Sequence, residues 1–181
     1  MKRLAVINVV GLSKDHIGEN TPNISAFISD SCLQKLIPPL PAVTCTVQSS
    51  ILTGTPPSDH GIVANGWYEK VTHETKFWKQ ANDLVHGEKI WDQLKRVNPE
   101  ITIANLFWWF NMYSNVDIAI TPRPQYRSNG RKIPDIWTNP SHLRKTLQDK
   151  HGAFPLFKFW GPGAGIESSE WITNATVDIE S

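Results

Sequence analysis

Thr44, Cys45 and Asn65 are the residues whose types and spacing could do chemistry in this chain. The order Pro-Ala-Val-Thr over residues 41–44 predicts a proline-led approach to a helix that begins at Thr44. The pattern carries that helix to about Thr53, where Gly54, then Pro56 and Pro57, stop it. A hydroxyl at a helix N-terminus sits among free backbone N–H groups at the positive end of the helix dipole, where a phosphate can be held while the hydroxyl attacks it. A threonine hydroxyl attacks at neutral pH only if a metal or a base activates it. The alternative for Thr44 is a plain helix cap. Asn65 carries an amide N–H₂ that can stabilise charge growing on a phosphoryl oxygen; its alternative is a turn residue, since Asn65-Gly66 is a strong turn pair. The Cys45 thiol has no histidine at a recognisable spacing and reads as a small buried side chain.

The elements that must position these groups follow from periodicity. Residues 4–10, LAVINVV, are an apolar β-branched run ending at Gly11, the pattern of a central parallel strand. Thr21 followed by Pro22 opens a helix through about Ser31. Residues 55–85 read as an extended loop region anchored by Trp67, Tyr68, Phe77 and Trp78. Ile90, Trp91, Leu94 and Val97 share one helical face that should pack on a sheet, and Ile101 to Phe107 form a second strand. Residues 111–139 read as irregular and proline-rich, Ser141 to Lys150 as a helix, and a last helical piece begins near Ser168-Ser169 and is still unfinished at Asp178-Ile179-Glu180-Ser181. Strand, helix, helix and strand at these lengths predict an α/β sandwich with a mostly parallel central sheet.

Pro41, Thr44, Thr53, Gly54, Pro57, His60, Gly61, Ile62 and Asn65 stand at fixed spacing within 25 positions. In this pattern the segment resembles the nucleophile region of the nucleotide pyrophosphatase/phosphodiesterase branch of the alkaline phosphatase superfamily. Weaker similarity runs over Thr21-Pro22-Asn23, residues 88–91 and residues 104–108, so the resemblance spans most of residues 1–115. It implies an alkaline-phosphatase-like sandwich, here C-terminally incomplete, with residues 1–181 as the N-terminal portion of one catalytic domain. It also implies a metal-dependent hydrolase of phosphodiester or pyrophosphate bonds in which Thr44 is the nucleophile and a covalent phospho-threonine forms. Asn65 and the Cys45 N–H would hold the oxyanion, and two divalent ions, expected to be zinc, would clamp the phosphoryl group, one of them with the Thr44 hydroxyl as a ligand.

The resemblance also places expectations on the metal. The first strand of such enzymes ends in an aspartate ligand before glycine, whereas Val10 precedes Gly11 here. Asn8, two positions earlier, is a weak substitute, and Asp15 or His16 a weaker one. Asp59-His60-Gly61 imitates a metal motif, but its position after the nucleophile helix assigns His60 to ordering the turn. Most metal ligands are expected to be absent from this chain, which alone should be weak or inactive. The alternative is a non-catalytic phosphoester-binding or assembly module that has lost its zinc site.

Composition narrows the rest. A chain of 181 residues is about one domain and can bury roughly two-thirds of its unfolded surface. A net charge of +1 gives no argument for a nucleic-acid polymer or a membrane as partner, so the expected partner is a small phosphoester. Seven Lys and Arg between Arg123 and Lys150 read mainly as a solvated face. Cys32 and Cys45, with no paired-cysteine motif and no signal-peptide cleavage pattern, point to a cytoplasmic protein; oligomeric state is not encoded in these patterns.

Overall fold

The computed structural model describes residues 3–180, which divide into two compact units on either side of the Ile37–Pro38 boundary. The first unit holds a 3₁₀ turn, Lys14–His16, and helix α1, Pro22–Ser29. Pro22 opens α1 as expected, since a proline costs nothing at a position whose N–H has no intrahelical acceptor. The expected first strand is not formed. Residues 4–10 carry no regular structure, and Leu4, Val6, Ile7, Val9 and Val10 are exposed. A β-branched run records a preference for a pleated, packed surface, but a strand exists only where a neighbour completes its ladder.

The second unit begins with α2, Thr44–Thr53, and a single turn, α3, Pro57–His60. A hairpin follows, β1 (Gly66–Glu69) against β2 (Glu74–Phe77), where the sequence reads as loop. Gly66 is required there by close approach: a Cβ would overlap the Phe77 ring and crowd the Lys76 carbonyl oxygen at 2.9 Å. Helix α4, Ile90–Val97, buries Trp91 against Val116 and Ala119, but Ile90, Leu94 and Val97 are exposed. The expectation that this whole face packs on a sheet is corrected accordingly.

Strands β3 (Ala104–Leu106), β4 (Ile118–Pro122) and β7 (Ile136–Asn139) make a sheet of order β3-β4-β7, parallel at the first pair and antiparallel at the second. The fold is α/β with this sheet mixed. A small ribbon, β5 (Gln125–Tyr126) and β6 (Lys132–Ile133), sits between β4 and β7 in sequence. Residues 111–139 thus contain four strands, correcting the irregular reading. Helices α5, Leu143–His151, and α6, Ile166–Glu180, cover the sheet. The main core packs Ile120 and Ile136 from the sheet against Leu147 of α5, Phe154 and Leu156, and Trp171 and Ala175 of α6. Helix α6 begins two residues before the expected start and is continuous to Glu180. His151 and Lys150 of α5 both reach Asp178 of α6, each at 2.7 Å.

Candidate functional site

Helix α2 has the boundaries its sequence predicts. Gly54 ends it in the left-handed conformation at φ 69°, its N–H bonded to the Ser50 carbonyl. At the other end Val43, extended, is the capping position and Thr44 is the first helical residue. The Thr44 side chain therefore does not cap the helix. It is half-buried, and among the described residues its hydroxyl has no hydrogen-bond partner.

The N–H of Cys45 donates to Asn65 Oδ1 at 2.9 Å. A backbone N–H can only donate, so the amide oxygen of Asn65 is the atom facing the helix. The Asn65 N–H₂ is turned away from that contact and has no acceptor among the described residues. The arrangement joins the two residues expected to cooperate but divides their roles. The Cys45 N–H orients the amide and is not itself free for an oxyanion, while the Asn65 N–H₂ and the N–H of Thr44 are free donors. Asn65 is fixed from its other side as well, because its carbonyl accepts the Trp78 N–H at 3.0 Å across the mouth of the hairpin.

Three further contacts hold the helix in place. Gln48, on its buried face, accepts the Trp109 N–H at 2.7 Å, tying α2 to the loop after β3. Cys45 packs with Ile62, Val85, Trp109 and Phe110 in one core cluster. Ser50 meets His60 Nε2 at 2.8 Å, and His60 Nδ1 accepts the Ile62 N–H at 3.1 Å. Since Nδ1 is an acceptor, the proton sits on Nε2 and the neutral ring donates to Ser50. Both ring nitrogens of this fully buried histidine are occupied, so His60 is a bracket between α2 and the turn that delivers Asn65.

Burial lowers the His60 pKa below 6.5. A histidine held neutral in the folded state gains its proton first when unfolded, so stability rises with pH wherever the unfolded chain binds more protons. The His60 contribution is complete above about pH 6.5 and is lost as pH falls toward its folded pKa. Urea midpoints measured from pH 8 to pH 5 should fall across the acidic part of that range, and His60→Gln should flatten the fall.

The Cys45 thiol shows which of two opposed effects wins. A helix N-terminus lowers a thiol pKa, whereas burial raises it. Cys45 is wholly inaccessible and its thiol is pushed up to about 12 by burial. Thiol reagents on the native protein should label the exposed Cys32 and leave Cys45 unmodified until unfolding; equal labelling of both would contradict this placement.

Beside the helix start lies an aromatic wall that sequence reading did not resolve. Trp78 stacks on Trp160 at 6.0 Å and 8° between planes, and both meet Trp109 edge-on. Trp78 holds φ 50° and the loop after β3 carries Phe107, Phe110 and Tyr113 at positive φ as well. Side chains with a Cβ adopt that region at a cost of about 1–3 kcal/mol each, and such strain gathers where a chain must present groups in a fixed way. The sequence signal was the density of tryptophan alone.

For a metal the donor set does not fit. Among the described residues no three His, Cys, Asp or Glu side chains group to hold an ion. Asn8 and Val10 lie on the exposed, irregular segment of the first unit, and His16 Nδ1 is occupied by the N–H and hydroxyl of Ser13. Among the described residues no helix is long and apolar enough to cross a membrane.

The Thr44 hydroxyl, the oriented Asn65 amide and the N–H groups at the start of α2 thus lie together. The model of the type I phosphodiesterase/nucleotide pyrophosphatase family matches residues 4–179. The chain belongs to that family. No curated protein and no solved structure matched the chain. For this phosphodiesterase-family chain the match extends the resemblance seen over residues 1–115 through α6.

Proposed function

We propose that this chain carries the nucleophile half of a phosphodiester- or pyrophosphate-hydrolysing site. The observation that carries the reading is the unbonded Thr44 hydroxyl at the first position of α2, next to an Asn65 amide whose oxygen is engaged by the Cys45 N–H. Thr44 Oγ1 gives up its proton to solvent and attacks phosphorus; the bond to the leaving oxygen breaks, that oxygen takes a proton from water, and a phospho-threonine still carrying the substrate's other substituent remains. Water then attacks the same phosphorus, the bond to Oγ1 breaks, and a proton from that water restores the hydroxyl. The free N–H₂ of Asn65 and the N–H of Thr44 face the oxygen on which charge grows, in a geometry fixed before substrate arrives. The stacked Trp78 and Trp160 favour a substrate with a planar group.

Family membership brings an expectation of divalent metal ions. The described residues offer them no donor set, so metal-dependent turnover needs carboxylate and imidazole donors from elsewhere. The reading accordingly takes residues 1–181 as the N-terminal portion of one alkaline-phosphatase-like catalytic domain, weak or inactive alone. A cytoplasmic setting remains part of the proposal, consistent with two free cysteines.

The missing donor set favours a second reading, a phosphoester-binding module that holds its ligand at the helix start without turnover. Zinc-supplemented hydrolysis of a chromogenic aryl phosphodiester by the full-length protein separates the two. Release of the aryl alcohol that depends on Thr44 supports the enzyme. Saturable phosphoester binding that depends on Asn65, with no release, supports the module.

A further inference from the structure

A second cleft, of about 590 Å³, opens where the end of β4, the strand β5, β7 and the start of α5 meet. None of its lining residues belongs to the Thr44–Asn65 site. Its floor is Asp135, a nearly buried carboxylate that accepts five hydrogen bonds. Two come from Arg144 Nε and Nη2 at 2.7 Å, and one each from Gln125 at 2.7 Å, the Ile136 N–H at 2.8 Å and Gln148 at 3.3 Å. Burial alone would raise the Asp135 pKa, but the bonds from Arg144, Gln125 and the Ile136 N–H together outweigh it and hold the carboxyl below its ordinary pKa, so it stays ionised and keeps Arg144 in one orientation.

A guanidinium fork has two usable edges, and Asp135 takes only the one formed by Nε and Nη2. The edge formed by Nη1 and Nη2 remains, on a side chain that is 47% exposed. Arg123 is anchored by its backbone N–H to the Asp135 carbonyl at 2.9 Å. Its exposed guanidinium has no partner among the described residues. Two arginines against one carboxylate leave the cleft net positive. Tyr126 and Trp137 supply aromatic surface, Trp137 steadied edge-on by Tyr113 at 5.5 Å. Lys132 lies 5.6 Å from the Tyr126 ring centroid and adds to the positive field. The volume suits a small ligand.

We infer that this cleft binds a small aromatic anion, its carboxylate or phosphate oxygens on Arg123 and the free edge of Arg144, and its ring against Tyr126 and Trp137. Calorimetric titration of the full chain with benzoate and with phenyl phosphate tests it, with inorganic phosphate and phenol as partial probes. At least one aromatic acid should saturate, and the two partial probes should bind about tenfold or more weaker, since each lacks one set of contacts. Binding by one acid and not the other assigns the head group within the proposal. Arg144→Gln would leave Asp135 short of partners and could unfold the cleft, so Arg123→Gln and Tyr126→Leu carry the test. Each should weaken binding about fivefold or more, and Thr44→Ala should not change it. No saturable signal, affinity unchanged in both cleft variants, or binding lost in Thr44→Ala would overturn the inference.

Discussion

Thr44→Ala should lower hydrolysis of an aryl phosphodiester by the metal-supplied, full-length protein by on the order of a thousandfold or more, because it removes the atom that forms the bond to phosphorus. The same change should leave folding almost untouched. Thr44 is the first residue of α2, and its hydroxyl caps nothing and has no partner among the described residues. A half-buried side chain without such contacts has only its methyl packing to lose, about 1 kcal/mol or less. Thr44→Ser keeps the nucleophile and should retain most of the rate. Activity lost with an unchanged urea midpoint is the signature of a nucleophile; loss of both would mean that Thr44 serves the helix.

Asn65 should show the opposite pattern, because one side chain does two things. Asn65→Ala removes the N–H₂ donor at the phosphoryl oxygen, a loss of about a hundredfold to a thousandfold in kcat. It also strips the acceptor from the Cys45 N–H, which belongs to a fully buried residue. An orphaned buried donor costs about 1–3 kcal/mol. Asn65→Asp separates the two roles. A carboxylate still accepts from Cys45, so most of the stability should return, but it offers no donor and adds negative charge where charge is to develop. Its activity should be no higher than that of Asn65→Ala. Recovery of rate in the aspartate variant would show that Asn65 acts only by positioning α2.

The part of this site that could be read from sequence was the part written locally. Gly54 and the prolines after it fix the end of α2 by backbone sterics, and the offset from Thr44 to Asn65 returns the amide to the helix start through the turn ordered by His60. The division of labour between Cys45 and Asn65 was hidden. It depends on which amide atom faces the helix, and that follows from a contact twenty residues apart. The Gln48 bond to Trp109 spans sixty-one residues and leaves no periodic trace.

The strands between residues 118 and 139 escaped for a different reason. Pro122 ends β4 and Pro134 separates β6 from β7, so prolines that punctuate short strands read as disorder of pattern. Residues 4–10 failed in the other direction, with strand composition but no ladder. Helix α6 is rich in Ser, Thr and Ile, middling helix formers at best, and is held by Trp171 and Ala175 at i and i+4 in the core.

Thr44 acts as the nucleophile only if its Oγ1 bonds to phosphorus. Acid-quenched full-length protein, incubated with zinc and an aryl phosphodiester, can be digested and its Thr44 peptide sequenced by mass spectrometry. A phosphoryl adduct on Thr44, absent from Thr44→Ala, is the expected result. Aryl alcohol released at an undiminished rate by Thr44→Ala, with no adduct on that peptide in the native protein, would contradict it.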